Sequence, residues 1–397
     1  MTALLSALLS VPETPAFVYD EGAILEALQR LAPVRALAGG RLLYSVKALP
    51  LTGLLDLIQP AVDGFAASSL FEARLAHEAM ARGAGQGALH ITTPGLRAEE
   101  IGELARRCSH ISFNSLEQYR RLAASIEDAA SLGLRVNPGL SFLDDPRHDP
   151  CRPFSKLGVP LGEAAAALAA ERALEGLHFH TQFECRSLTP LRATLGRLES
   201  ALGRVLRRLR WINLGGGYLL DSAALVRELA ELVAGLRERY GLEVFFEPGK
   251  AIVGAAGYLV TEVIDRFERG GKTIAVLDSG VQHLPAVFEY QKSPALAGPG
   301  ADGALPCLLV GSTCLAGDVF GEYRFRRLPS VGERLVFWDV GAYTLTRASR
   351  FNGYDWPAIH ALRRDGRIEP VKRYGYAAYR SQWQTEGTPL VGGGGDR

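Results

Sequence analysis

The sequence predicts an α/β protein: a (β/α)8 barrel joined to a second, β-rich domain. Three observations predict it. Eight short apolar, β-rich runs alternate with Ala/Leu/Arg/Glu-rich stretches, and repeated strand–helix units imply parallel strands, eight of which suggest a closed barrel. After Gly249 the runs continue without long helices between them, which fits a separate β-domain. Polar residues recur at the C-terminal ends of the eight runs, where a barrel of this kind carries its site. A length of 397 residues suits one large barrel with a smaller companion.

In chain order, MTALLSALLSVPETP reads as a short helix and not a signal peptide. It has no basic segment before the apolar stretch and soon meets Pro12 and Pro15. FVYD (17–20) precedes the barrel and is assigned to the second domain's sheet. The barrel strands are RLLYSVKA (41–48), GFAASS (64–69), ALHIT (88–92), ISFN (111–114), GLRVNP (133–138), LHFHT (177–181), WINLGGG (211–217) and EVFFEPG (243–249). Helical patterns follow the first seven; SLEQYRRLAASIEDAA is one with apolar residues at helical spacing. YLVTEVID, KTIAVLDS, PCLLVGST and RLVFWDVGAY are the later strands. The barrel is therefore expected over 28–257, and the β-domain over 1–27 and 258–397. FLDDPRHDPCRPF (142–154) is polar, broken by proline and long enough for a lid or interface loop. GTPLVGGGGDR at the end is expected to fray.

Charge excludes one class of function. Lys plus Arg number 44 against 43 Asp plus Glu, a net charge of +1, with the signs interspersed, so the basic stripe that nucleic acid requires is missing. No apolar run approaches the ~20 residues that span a bilayer. The five cysteines are widely spaced with no CxxC pair. That argues against a disulfide framework or a zinc site and for a reducing, cytoplasmic setting.

Lys47 stands out, since only six of the 44 basic residues are lysines and it is the only one before Lys156. At a strand's period of two, Leu43, Ser45 and Lys47 share a face, which points the amine into the barrel. Burial favours a neutral, nucleophilic amine, which attacks aldehydes such as pyridoxal phosphate. Alternatively, Lys47 pairs with a carboxylate or snorkels to water. At the other strand ends stand Ser69, Thr92, Asn114, Arg135 with Asn137, His180, Gly215–Gly217 and Glu247. The glycine run admits a phosphate to its amides, or simply ends a strand. Glu247 suits a pyridine nitrogen, or a surface turn. His180 suits stacking on a planar cofactor, or ordinary packing. In the second domain, GSTCLAGDVF (311–320) pairs Cys314, a possible proton donor, with Asp318, a possible holder of a substrate ammonium; a buried small hydrophobe beside a turn is the alternative. VGAYT (340–344) offers the Tyr343 hydroxyl at a strand end, or a rim aromatic.

Together YSVKA, LGGGY, FFEPG, GSTCLAGD and VGAYT, in this order across nearly the whole chain, resemble the alanine-racemase-fold (fold type III) pyridoxal-phosphate-dependent decarboxylases. Within that family GFAASSLFEARLA, GLRVNPG, LHFHTQFE, STCLAGD and SRFNGYDWP are most similar to the carboxynorspermidine/carboxyspermidine decarboxylases. The resemblance implies pyridoxal 5'-phosphate as cofactor, with Lys47 carrying it. His180 would stack on the ring, and Gly215, Gly216 and Gly217 with Tyr343 would hold the phosphate. Glu247 would pair with the ring nitrogen and Arg135 would support the site. Cys314 is implied as proton donor, and Glu184, Lys250 and Asp318 as substrate residues. A homodimer is implied, with Cys314 and Asp318 supplied by the partner subunit.

Two departures from that pattern bear on the substrate. The polyamine-acting relatives carry EPGE where this chain has Lys250, and an acidic residue where HLPA (283–286) places Ala286. Losing both acids would leave a polyamine cation unpaired, at a cost of several kcal/mol, on the order of a buried-ion penalty. A decarboxylase with altered distal recognition is expected, for a substrate with a neutral or acidic far end. A carboxynorspermidine/carboxyspermidine decarboxylase proper and, further off, an amino-acid racemase are the alternatives. Lys250 is equally suited to the cofactor phosphate, since ornithine-type relatives have a basic residue there.

Overall fold

The computed structural model describes residues 2–83, 87–126, 129–298 and 303–385. The tail expected to fray, 387–397, lies outside the described residues. The chain divides into two compact units. One comprises Gly22–Ala256 with Gly341–Thr346; the other comprises the residues up to Glu21, Gly257–Val340 and the chain from Arg347. The division drawn from the sequence at 27/28 falls inside a helix, Glu21–Ala36.

The first unit is a closed barrel of eight parallel strands: β1 Arg41–Ser45, β2 Gly64–Ala67, β3 Ala88–Thr93, β4 His110–Phe113, β5 Ser131–Asn137, β6 Leu174–His178, β7 Trp211–Asn213 and β8 Glu243–Phe246. Each pairs in parallel with the next, and β8 closes on β1 through Phe245–Arg41 and Phe246–Leu42. Helices follow the first seven strands, from Thr52–Ile58 to Ala223–Tyr240. Their starts are written locally. Ser69 caps Leu70–Arg82 by accepting from Glu72 N, while the Glu72 carboxylate accepts from Ser68 N. Ser115 and Gln118 repeat the device for Leu116–Leu122. Both are capping boxes, which satisfy orphan amides at a helix start.

Several strands end earlier than their apolar runs suggested, so Lys47, Ser69, His180, the glycines and Glu247 lie just beyond them. The consequence is largest for Lys47. Val46–Ala48 form a 3-10 turn, so the lysine leaves the pleat shared by Leu43 and Ser45 and is exposed. The expectation of a buried amine is corrected: the turn lifts it off the strand into solvent.

Beneath the strand ends, the barrel interior is filled by aromatic rings. His90 and His110 stack at 4.0 Å, and Trp211 and Phe245 pack on both. The Trp211 ring requires two glycines: a Cβ on Gly133 or Gly176 would meet it at 2.5 or 2.0 Å. Burying such rings supplies most of a core's free energy, about 25 cal/mol per Å2 of apolar surface. A rigid floor therefore lies under the site.

The second unit is a nine-stranded, mostly antiparallel sheet. The N-terminal strand Ala16–Asp20 lies inside it, paired antiparallel with the central strand Gly257–Arg269 and parallel with Ala358–Leu362. FVYD thus joins this sheet. The N-terminal helix, Thr2–Leu9, covers it through Leu8, packed with Val11, Val18, Tyr258 and Val336. The run RLVFWDVGAY does not stay extended: its strand is Arg334–Phe337. Tyr343 is therefore not at a strand end. It has a φ of 59°, belongs to the barrel unit, and its amide donates to Ala48 O at 2.9 Å.

Candidate active site at the barrel mouth

Five elements bring charged groups to one place. The exposed Lys47 amine, carried by the turn after β1, acts electrostatically on Glu247, His178, His180 and Glu72. Arg135 on β5 adds its charge at Glu247, His178 and His180.

Glu247 follows β8 and is buried. Burial raises its carboxyl pKa; Lys47, the Asn213 hydrogen bond and Arg135 oppose that shift. Asn213 Nδ2 donates to Glu247 Oε1 at 2.7 Å, and His178 Nε2 lies 3.9 Å from the same oxygen. His178 is buried with neither ring nitrogen hydrogen-bonded. Burial, then Arg135, His180 and Lys47, hold it well below its usual pKa, so it is neutral. His180 is pushed down to about 3 by burial, Lys47 and Arg135.

The glycine run is built by the chain around it. Gly215 and Gly217 have φ of 65° and 93°, the left-handed region that favours glycine. A Cβ on Gly215, Gly216 or Gly217 would meet Phe179 O at 2.3 Å, Glu247 O at 2.3 Å or Gln182 O at 2.1 Å. The Gly215 amide donates to Asn213 Oδ1 at 2.9 Å and the Gly216 amide to His180 Nδ1 at 3.1 Å. These glycines are needed by the fold itself as well as by any ligand. His180, expected to stack on a cofactor, anchors the glycine loop through its ring edge. The Tyr343 pKa is raised to about 12, by burial first, with a Ser45 hydrogen bond opposing and Glu247, Glu72 and Glu184 adding to it. Its hydroxyl would lie 3.3 Å from a Cβ placed on Gly249.

Lys250 and Glu184 meet each other. Lys250 Nζ donates to Glu184 Oε1 at 2.6 Å, with both side chains about one-third exposed. Two residues expected to contact a substrate separately thus form one ion pair.

Not every polar strand-end residue serves the mouth. Ser69 is a helix cap. Asn114 and Asn137 bind the backbone of residues 156–158, through Lys156 O, Gly158 N and Leu157 O. Within the loop expected as a lid, Asp149 accepts from Ser141 Oγ and Cys151 N, and the His148 ring stacks on Phe183 at 4.1 Å.

In the sheet unit, Cys314 is exposed. Its amide and its thiol both donate to Asn352 Oδ1, at 2.9 and 3.0 Å. Asp318 is buried, and its carboxylate accepts from Val281 N at 2.7 Å, Thr313 N at 3.0 Å and Thr313 Oγ1 at 2.5 Å. Asp318, expected to hold a substrate ammonium, is already held by three donors of the chain: one from Val281, 37 residues away, and two from Thr313. Sequence reasoning missed Asn213, His178 and Asn352. Asn213 was readable as the polar residue ending β7; Asn352 lies in the motif SRFNGYDWP, but its partner Cys314, 38 residues away, was not readable.

The donor set fits pyridoxal phosphate. An accessible amine suits its aldehyde, a buried carboxylate suits a ring nitrogen, and a neutral buried imidazole with two unsatisfied nitrogens suits a polar planar ring. Among the described residues no cluster of three His, Cys, Asp or Glu could hold a metal, and no helix is long and apolar enough to cross a membrane.

Comparison with known proteins agrees. The family model described as pyridoxal-dependent decarboxylase, C-terminal sheet domain, matches residues 16–341. The chain is 35% identical, over 94% of its length and 96% of the relative's, to a carboxyaminopropylagmatine decarboxylase of Synechocystis. It is 32% identical, over 92% of its length and 98% of the relative's, to a carboxynorspermidine/carboxyspermidine decarboxylase of Herminiimonas arsenicoxydans. The crystal structure of carboxynorspermidine decarboxylase from Campylobacter jejuni, complexed with norspermidine, superposes with a TM-score of 0.82 at 29% identity, covering 93% of this chain and all of that one. The motif order, the barrel with its β-sheet unit and these relatives lead to one conclusion: the chain belongs to the fold type III pyridoxal-phosphate-dependent decarboxylases and is a carboxy-lyase.

Proposed function

We propose that this decarboxylase removes the α-carboxylate of an amino-acid-type substrate whose distal end is neutral or acidic. The observation that carries the reading is the Lys250–Glu184 pair at 2.6 Å. A substrate ammonium seeking Glu184 would have to break that pair and sit beside Lys250. Two like charges about 4 Å apart repel by about 4 kcal/mol at an effective dielectric of 20. A distal hydroxyl or amide would hydrogen-bond to the pair without breaking it, whereas a distal carboxylate would have to take Lys250 from Glu184. Ala286 supplies no charge to compensate.

When bound, the cofactor supplies an electron sink for the pair left by departing CO2. The chain's residues do the rest. Lys47 is the amine that would hold the aldehyde. Glu247 would face the ring nitrogen, Gly215–Gly217 and Tyr343 would hold the phosphate, and Arg135 balances charge beside Glu247. Cys314 Sγ carries the proton that replaces CO2. Its S–H is identifiable because the Cys314 amide fixes Oδ1, not Nδ2, of Asn352 toward the thiol.

The same reading includes a homodimer that shares its sites. Exposed Phe288, Leu315, Val319, Phe351 and Tyr354 surround the Cys314 segment in sequence or contact, an apolar surface suited to a second copy. Mixing inactive Lys47→Ala and Cys314→Ala chains tests sharing: about a quarter of native activity returns if each site draws on both copies, and none if each chain is self-sufficient.

A second reading, a decarboxylase of carboxynorspermidine, carboxyspermidine or carboxyaminopropylagmatine, is favoured by the relatives' names. Carbon dioxide release from these three, from diaminopimelate, ornithine and lysine, and from carboxylated analogues with acidic ends separates the readings. Efficient turnover of the polycations would overturn the first.

A further inference from the structure

We infer that Asn213 is a positioning residue that ties Glu247 to the glycine run. The inference rests on the reading of Glu247 as partner of the cofactor's ring nitrogen. Asn213 ends β7 and is 1% exposed. Its Oδ1 accepts from the Gly215 amide at 2.9 Å; a backbone N–H can only donate, so the amide's orientation is set. Nδ2 must then face the other way, where it donates to Glu247 Oε1 at 2.7 Å and lies 3.2 Å from His90 Nδ1. One planar side chain therefore joins three parts of the mouth: the first glycine, the buried carboxylate and the histidine floor.

The floor completes the arrangement. Burial, then His110 and His178, keep the His90 pKa well below normal. The ring is neutral, and the Asn213 donor assigns its proton to Nε2. Nδ2 thus has an acceptor for each hydrogen, and the amide cannot turn without leaving one of them bare. The Glu247 carboxylate is the member that this arrangement holds still. The charged or titratable groups that act on it are Lys47 after β1, Arg135 on β5, His178 on β6 and Tyr343; among its described hydrogen bonds, Asn213 is the side-chain donor.

Asn213→Asp separates this role from mere support of the loop. The shape is unchanged and Gly215 keeps its acceptor, but the donor to Glu247 becomes a second carboxylate. A proton shared between the two acids mimics the native contact in mild acid. As pH rises the proton is lost, and the two charges push Glu247 from its place and repel the cofactor phosphate.

The measurement is the dissociation constant of pyridoxal phosphate from apoenzyme, by absorbance titration. Between about pH 6 and about pH 8.5, binding by Asn213→Asp is expected to weaken about tenfold more than native binding does. The loss is expected to shrink in a Glu247→Gln background, where the new carboxylate gains a donor. Asn213→Ser, which loses reach to Glu247, weakens binding about tenfold at every pH. Native binding by Asn213→Asp and Asn213→Ser at both pH values would overturn the inference, as would an equal loss in the Glu247→Gln background. If Glu247→Gln alone left cofactor binding and its absorbance unchanged, the reading of Glu247 would fail instead. Neither result touches the substrate assignment, because no substrate is present.

Discussion

Glu247 and Asp318 are both buried carboxylates at the ends of apolar runs, one in each unit, and they are built in opposite ways. Asp318 accepts from two backbone amides and a hydroxyl, of Val281 and Thr313. Glu247 has one side-chain donor, Asn213, and sits in the field of Lys47 and Arg135 with an unpartnered imidazole beside it. A carboxylate satisfied by the chain serves the chain. A buried carboxylate that burial keeps at a raised pKa, in a mouth with unsatisfied polar atoms, is arranged for a ligand that completes it.

The sharpest way to break this contrast is at the amine. Lys47→Ala is expected to lower kcat/KM by at least about 10³-fold. Borohydride reduction would then no longer fix pyridoxal phosphate to the chain, as intact mass reports. Retention of the covalent adduct would remove Lys47 from its role.

Next comes the stability lent by the acid that the chain itself holds. Asp318→Ala strands the Val281 and Thr313 amides and should cost about 2–4 kcal/mol, seen in denaturant unfolding, with cofactor affinity unchanged. A large loss of cofactor binding without destabilisation would reverse the roles of the two acids.

Glu247→Gln should do the opposite: activity falls about a hundredfold, while the apoenzyme becomes more stable. The sign follows from the raised folded pKa. At pH below the unfolded value both states are protonated and the group is neutral to stability. Above it the unfolded chain releases its proton first, so ionisable Glu247 costs stability at neutral pH, and Gln does not. Melting curves of the two apoproteins should therefore separate as pH rises from about 4 to about 7; parallel curves would mean that Glu247 is not strained.

Lys250→Glu sharpens the substrate side. It removes the cation paired with Glu184 and should raise kcat/KM on polycationic substrates about tenfold. The smallest effect belongs to Ser69→Ala, about 1 kcal/mol from a lost helix cap, with unchanged turnover. Ser69 stands at a strand end in sequence yet serves only Leu70–Arg82.

The fold and the site were unequally legible in the chain. Eight barrel strands, the helices between them and the place of FVYD could be read because each depends on local spacing. Lys47, the glycine run and Glu247 could be named from motifs and their order. Their surroundings could not be read. Nothing near residue 250 says that Lys250 faces Glu184, 66 residues earlier. Nothing near Asp318 says that Val281 would turn an amide to it. Tyr343 was placed on a strand because VGAY is apolar, but its left-handed φ and its bond to Ala48 O belong to another unit of the fold.

The sequence by itself determined the barrel, the sheet unit and the chemical types gathered at the mouth. Periodicity, capping and turn propensity act over a few residues, and a linear text records them. Only the tertiary structure decided that Lys47 lies exposed on a turn, that Glu184 and Lys250 neutralise each other, and that Asn213 holds Glu247. Each depends on which side chains the closed barrel brings within about 3 Å, where one hydrogen bond more or less decides whether a buried charge belongs to the chain or to its ligand.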